Sequence, residues 1–312
     1  MILNTGARTD TVQYFSDWLL NRFKEGYVYT RNPLFPKKVT RYELSPDKID
    51  VVLFCSKNYA PILPRLKEIT DRYRTYFHYT ITAYGKDIEP GVPSPDESAD
   101  TLKELAKTVG RQRIAWRYDP VLLTGKYTLN MHLKTFANLA EKLAPYIDRC
   151  IFSFVEMYKK LEVNMPEIIP LSENDKIAIA EGLGKTAREY GITLQTCGTN
   201  ADYSRFGIRP SACAALDILG KANGCVFKET KHNGMRNGCH CIESRDIGAY
   251  DTCLNGCKYC YANKSPQRAR DNYKLHDPLS PLLLGHLETD DVIIRGNQKS
   301  LLKSEDNYTL FD

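Results

Sequence analysis

Residues 75–118 read TYFHYTITAYGKDIEPGVPSPDESADTLKELAKTVGRQRIAWRY, and the fold is decided on this stretch. It opens on TYFHYTITAY (75–84), rich in the aromatic and β-branched residues that suit a strand. After a loop, PGVPSPDES (90–98), the run SADTLKELAKTV (98–109) spaces its apolar residues by three and four, the period of an amphipathic helix. QRIAWRY (112–118) then returns to strand character. A strand, a helix and a second strand in that order imply parallel pairing with the helix laid outside the sheet.

The same alternation extends in both directions. Strand-type runs occur at MILNT (1–5), DVVLFCS (50–56), CIFSFV (150–155) and ITLQT (192–196), with a seventh candidate at IGAYDT (247–252). Helix-type periodicity marks VQYFSDWLLNRF (12–23), LKTFANLAEKLAPYI (133–147) and DKIAIAEGLGKTAREY (175–190). The class expected is α/β, and seven such units suit a closed or nearly closed (β/α) barrel whose active site lies on the loops after the strands. A doubly wound open sheet is the alternative. Residues 1–196 supply barrel units, and 197–312 form a Cys-rich segment completing the same barrel, irregular over 221–245.

The chain has 312 residues, 42% apolar, with a formal net charge of +5, ordinary values for a globular protein. No run has the length of a membrane helix, and MILNTGARTD lacks the basic-then-apolar pattern of a signal peptide. A cytoplasmic location without membrane association is therefore expected. Lys258, Lys264, Arg268, Arg270 and Lys274 form a local basic excess that could face a phosphate-bearing ligand. No P-loop, G-x-G-x-x-G, G-x-S-x-G, H-x3-H or H-E-x2-H pattern occurs, so nucleotide-triphosphate, serine-hydrolase and histidine-metal chemistries lose their usual support. His240 reads as an exposed loop histidine.

Ten cysteines in a chain of this size, without secretory signs, point to metal or cluster ligation rather than disulfides. Cys55 and Cys150 lie in apolar runs and read as small buried hydrophobes; Cys225 fits no spacing. TCLNGCKYCYAN (252–263) places Cys253, Cys257 and Cys260 at C-x3-C-x2-C, with Tyr259 before the third. Three close thiolates can hold three irons of a [4Fe-4S] cluster and leave the fourth open. Structural zinc instead favours two paired knuckles with four ligands.

CLNGCKYC resembles the cluster motif of the radical S-adenosylmethionine superfamily, C-x3-C-x-aromatic-C, at every fixed position. The resemblance implies S-adenosylmethionine bound at the open iron, radical chemistry on a small-molecule or modified-macromolecule substrate, and an electron donor such as ferredoxin or flavodoxin. Members usually carry the motif after the first strand. Its late position here implies a circularly permuted barrel in which the cluster-bearing unit lies beside MILNT. YCYA (259–262) is also similar to photoproduct lyases over a few residues, which keeps nucleic acid as a candidate substrate.

Over nearly its whole length the chain resembles a bacterial and archaeal family of unknown function with a radical-SAM-like cysteine cluster at its C-terminal end. The resemblance rests on ARTD (7–10), FCSKNYAPILPRL (54–66), YTITAYGKDIEP (79–90), WRYDPVLL (116–123), LQTCG (194–198), GIRPSAC (207–213) and CHCIESRDIGAYDTCLNGCKYCYAN (239–263). It takes in Cys197, Cys213, Cys239 and Cys241, four more thiols for a second iron–sulfur cluster or a zinc site; the alternative is that some are spare. YGKDIEP, with Gly85 and Glu89, is loosely similar to the segment that holds the amino group of S-adenosylmethionine, though it lacks paired glycines and equally suits a strand-ending turn. Arg117, with Asp119, is a candidate clamp for a carboxylate or an internal ion pair, as are Arg8 and Asp10. Glu156 and Gln195 face the same choice. The competing readings are an iron–sulfur sensor without radical chemistry and a zinc-stabilised binding module.

Overall fold

Residues 75–118 fold as strand β5 (Thr75–Thr80), helix α4 (Pro95–Val109) and strand β6 (Ile114–Val121), with β5 and β6 parallel. The α4 start has a local cause: Ser94 and Glu97 form a capping box, and Pro95 occupies the first turn, where no backbone N–H is needed. The computed structural model describes residues 1–210, 212–228 and 238–303. The other strands are β1 (Ile2–Asn4), β2 (Tyr27–Arg31), β3 (Lys38–Glu43), β4 (Val51–Ser56), β7 (Arg149–Phe154), β8 (Thr193–Thr196), β9 (Arg245–Asp246) and β10 (Val292–Arg295). The other helices are α1 (Thr11–Tyr14), α2 (Ser16–Glu25), α3 (Lys67–Thr70), α5 (Leu129–Leu143), α6 (Lys159–Asn164), α7 (Glu173–Glu189), α8 (Leu216–Asn223) and α9 (Pro266–Tyr273). Among the described residues no helix is long and apolar enough to cross a membrane.

Seven strands form one parallel sheet in the order β8-β7-β6-β5-β4-β1-β9, flanked by helices. From β1 to β8 the order runs one way without reversal, unlike a doubly wound sheet, whose order switches at its centre. Alternate strand residues point to opposite faces. Val52, Phe54, Phe77, Trp116 and Phe152 meet the outer helices, while Ile2, Val51, Leu53, Tyr76 and Ile151 meet α8 and its flanking segments on the other face. The outer edge of β8 is covered by a backbone bridge, Arg209 N–H donating to Leu194 O at 2.9 Å. No pairing joins β8 to β9 among the described residues.

Two expectations are corrected. The seventh strand is Arg245–Asp246, not 247–252. Its last ladder bond is from Ile247 N–H to Asn4 O at 3.1 Å; the Asp246 carboxylate then takes the Gly248 N–H at 2.9 Å, and Asp251 adopts a left-handed φ of 59°. The helix expected over 12–23 is two helices, α1 and α2, broken at Phe15 (φ −134°, ψ 31°). A second sheet, β10-β3-β2, was not foreseen. It buries few apolar residues, chiefly Val28 and Val39, so its strands lack the hydrophobic runs that mark the large sheet.

Buried His132 on α5 is fixed by two partners. Its Nε2 faces the Leu122 carbonyl at 2.8 Å, which can only accept, so Nδ1 accepts from the Tyr118 hydroxyl at 2.8 Å. Burial depresses its pKa below the usual imidazole value, with the Leu122 hydrogen bond opposing. Folding therefore gains from the neutral form, and this stability is present above the unfolded pKa of about 6.5 and is lost as pH falls below it. Between pH 6.5 and 5, His132→Gln is expected to remove a slope of at most about 1.4 kcal/mol per pH unit. Urea unfolding at several pH values checks this; an unchanged slope refutes it.

Candidate functional site

The loop after β9 lies across the C-terminal ends of the strands, where parallel sheets expose their most adaptable positions. Three neighbours hold it. From the β5–α4 loop, the Gly91 N–H donates to Asn255 O at 2.8 Å and Ile88 O accepts from the Lys258 N–H at 3.0 Å. From the β7 side, Lys160 Nζ donates to Cys260 O at 2.8 Å, Asn164 Nδ2 to Lys258 O at 3.2 Å, and the Tyr158 hydroxyl to Tyr259 O. From α1, the Tyr14 hydroxyl donates to the Asn255 side chain at 3.1 Å.

Within this frame Cys253 is buried and Cys257 and Cys260 are partly exposed; all three are free thiols whose charges would repel one another. Gly256, at φ +65°, makes the turn between the first two. Burial foremost pushes the Cys253 thiol up to about 12, and burial with the nearby Glu89 carboxylate pushes Cys257 up as well. Three thiols on a partly open loop are the donor type that iron–sulfur clusters take. Among the described residues no three His, Cys, Asp or Glu side chains are gathered into a cage that could hold a metal ion.

Gly91 shows how closely the two loops approach. A Cβ there would lie 2.8 Å from Asn255 Cα and 2.9 Å from two backbone oxygens, contacts only a backbone shift could relieve. Gly91→Ala is expected to cost about 1–3 kcal/mol. An undiminished melting temperature would show that the loops are not pressed together.

Beside the thiols is a buried polar knot. The Glu89 carboxylate, 2% exposed, accepts on Oε1 from Lys57 Nζ at 2.9 Å, Thr82 Oγ1 at 2.9 Å and the Tyr259 hydroxyl. Asp10 caps α1 and accepts from the Gln13 and Lys57 N–H groups at 3.0 and 2.9 Å, from Ser56 Oγ at 2.7 Å and from Asn255 Nδ2 at 3.3 Å. Burial raises the Asp10 pKa despite these bonds.

The second set lies on the sheet face that packs against α8. Cys213 Sγ is 3.1 Å from Cys241 Sγ, Cys213 also hydrogen-bonds Cys197, and Cys241 also hydrogen-bonds Cys239. Arg117 projects from β6 toward this set, not toward the triple. It pairs with Asp119 (Nε to Oδ2 3.0 Å) and lies 3.4 Å from His78 Nδ1; burial raises the thiol pKa of Cys55, and thiol–thiol hydrogen bonds with burial raise those of Cys197 and Cys213, the Arg117 charge opposing each shift without reversing it.

The structure therefore brings Glu89 and Tyr259 to the triple and places Arg117 with the other four cysteines. Gly85 is an exposed turn residue whose N–H donates to the Tyr127 hydroxyl at 2.9 Å. Arg117 and Asp119 form an ion pair, but Arg8 does not pair with Asp10: it lies 3.8 Å from Asp246, because four donors already occupy Asp10. Gln195 Nε2 donates to Pro210 O and Ala212 O, each at 3.2 Å, bracing the approach to Cys213. His240 is exposed. The basic excess is partly neutralised, by Lys258 with Glu167, Arg268 with Asp251 and Lys274 with Asp271. Lys57 was missed; its signal was its place immediately after β4, at the C-terminal end of a parallel strand.

The family model described as Domain of unknown function (DUF1848) matches residues 2–262, from β1 through the cysteine loop. The chain belongs to that family. The DUF1848 match takes in both cysteine sets, Glu89 and Arg117, and its description assigns no activity. No curated protein matches. Among solved structures, similarity is found to a candidate alpha-L-fucosidase from Bacteroides thetaiotaomicron VPI-5482, at 12% identity over 69% of this chain and 61% of that one, with a TM-score of 0.27. An endoglucanase is similar at 9% identity over 67% of this chain and 86% of that one, with a TM-score of 0.24. The chain thus spans less than two thirds of the first of these, and overlap so slight carries no argument about activity.

Proposed function

We propose that this DUF1848 chain is a radical S-adenosylmethionine enzyme on a permuted, barrel-like sheet. The observation that carries the reading is the convergence of Cys253, Cys257 and Cys260 with the Glu89 loop at the C-terminal ends of the strands. The placement of β9 beside β1, in an order that does not reverse, supports the permutation.

Cys253, Cys257 and Cys260 would hold a [4Fe-4S] cluster. Bound there with S-adenosylmethionine, it supplies reductive cleavage of the sulfonium and a carbon radical able to abstract hydrogen from an organic substrate. The chain's own residues do the rest. Glu89, fixed by Lys57, Thr82 and Tyr259, keeps the β5–α4 loop against the cysteine loop, and its carboxylate suits the cofactor's ammonium group. Lys160 and Tyr158 tie down the backbone of the second half of the loop, holding Cys260 in place. Partial exposure of Cys257 and Cys260 leaves a side open to cofactor and to an electron donor such as ferredoxin or flavodoxin.

The test is anaerobic reconstitution with iron and sulfide, reduction in the presence of S-adenosylmethionine, and detection of 5′-deoxyadenosine by mass spectrometry. Formation of 5′-deoxyadenosine by iron-loaded protein is the expected result. Full iron loading without it would turn the assignment toward a sensor, and no iron loading would end it.

A further inference from the structure

We infer that the outer edge of β10 is where two copies of this chain join, β10 against β10 and antiparallel, so that the small sheets of both copies become one. β10 is the end strand of the order β10-β3-β2 and pairs with β3 alone among the described residues. Val292 and Gly296 donate their N–H groups to Lys37 O and Arg41 O, each at 2.8 Å, so alternation turns the N–H and C=O groups of Ile293 and Arg295 outward. The far edge of the same sheet is covered: on β2 the Tyr29 N–H donates to Pro281 O at 2.9 Å. Proteins guard an open edge with bulges, prolines or charges set along the strand. β10 has neither bulge nor proline, and its one charge, Arg295, stands at its end. Val292, Ile293 and Ile294 are 57%, 47% and 48% exposed.

The charges at the two ends of the strand select a second copy as the occupant. A two-fold axis joins two copies of one strand antiparallel, the start of each beside the end of the other. The approach to β10 is acidic: Glu288 and Asp290 share the single ammonium of Lys37, so negative charge is left over. Its exit is basic, with Arg295 and Lys299, neither of which has an ion-pair partner among the described residues. Arg295 lies opposite Arg41, whose own carboxylate partner is Glu43 at 3.0 Å. The segment is therefore complementary to itself when reversed. Setting Ile293 opposite the other copy's Arg295 lets the two exchange both hydrogen bonds, with acidic and basic ends adjacent. Past β10 the described chain leads away from this edge, with Gln298 Nε2 donating to Glu43 O at 2.8 Å and Ser300 Oγ to Asp50 at 2.7 Å. On the turn between β2 and β3, at the end where β10 begins, Leu34 and Phe35 are also exposed and widen the contact toward the roughly 1,000 Å² of a specific interface.

Analytical ultracentrifugation of the full chain over a range of concentrations reads the assembly. The wild type is expected to reach twice the chain mass, and Ile293→Pro, which removes an outward N–H but no ladder bond to β3, to stay monomeric. Arg295→Glu/Lys299→Glu and Glu288→Lys/Asp290→Lys are each expected to be monomeric alone, because like charges then meet across the axis, and to form a dimer when mixed. Recovery on mixing is a result that misfolding cannot imitate. A wild type monomeric at every concentration, a dimer that survives in Ile293→Pro or in either charge variant alone, or folded charge variants that stay monomeric when mixed would overturn the inference. So would a monomer whose Ile293 amide resists hydrogen exchange, since the chain would then be covering its own edge. Should a charge variant fail to fold, Ile293→Pro against the wild type decides. None of these readouts involves the cysteine loop, so the radical assignment stands or falls separately.

Discussion

Glu89→Ala is expected to lower the unfolding free energy by about 3–5 kcal/mol, because Lys57 would keep a buried ammonium with its partner gone. The side chains of the pair are 3% and 14% exposed, so water cannot replace what is removed. The loss extends to the site: the Tyr259 hydroxyl and Thr82 Oγ1 lose the same acceptor, and the β5–α4 loop loses a tie to the cysteine loop. Replacing both partners, with Lys57→Met and Glu89→Leu, should recover part of the stability, since two matched apolar side chains need no charge compensation. Chemical denaturation of the singles and the double gives the coupling. A single-variant loss below about 0.5 kcal/mol, the scale of ordinary surface changes, would mean that the pair is not buried in solution.

Cys257→Ala is expected to reduce reconstituted iron in the loop from about four per chain to below about one, and 5′-deoxyadenosine to background. Cys257 is the middle cysteine of the triple and the one whose charge meets both Glu89 and Lys57. Its thiol and that of Cys253 have raised pKa values, so at neutral pH both bind as protonated groups that must give up a proton to the metal. Iron loading should therefore become stronger as pH rises toward the thiol range, and proton release should accompany it. Iron retained at the wild-type level in the variant would show that the triple is not the ligand set.

Much of this architecture is legible in the sequence because the large sheet is buried on both faces. Val51 to Phe54 and Cys150 to Phe152 are continuous apolar runs, the mark of central parallel strands. Where strands are short or half-solvated the signal fades: Arg245–Asp246 is two polar residues whose strand state comes from pairing with β1, and β2 and β3 offer little burial. The cysteine triple is visible by spacing alone, and the Glu89 loop by its place after a strand. That Glu89 and Tyr259 share a hydrogen bond across 170 residues is not visible, nor is the turning of Arg117 toward the other cysteines. Such contacts are consequences of topology, which local spacing does not encode.

The pairing of β9 with β1 also sets a timetable for the chain's birth. The backbone N–H of Ala7 meets the Asp246 carboxylate 239 residues later, so β1 presents an unpaired edge throughout the synthesis of everything between. At ribosomal speeds of about 5–20 residues per second that interval is on the order of 10–50 s. A bare parallel edge for so long invites pairing with the wrong partner. Nascent chains of this protein should accordingly lean on a chaperone until the ninth strand emerges, and any metal destined for the loop can be inserted only after that moment.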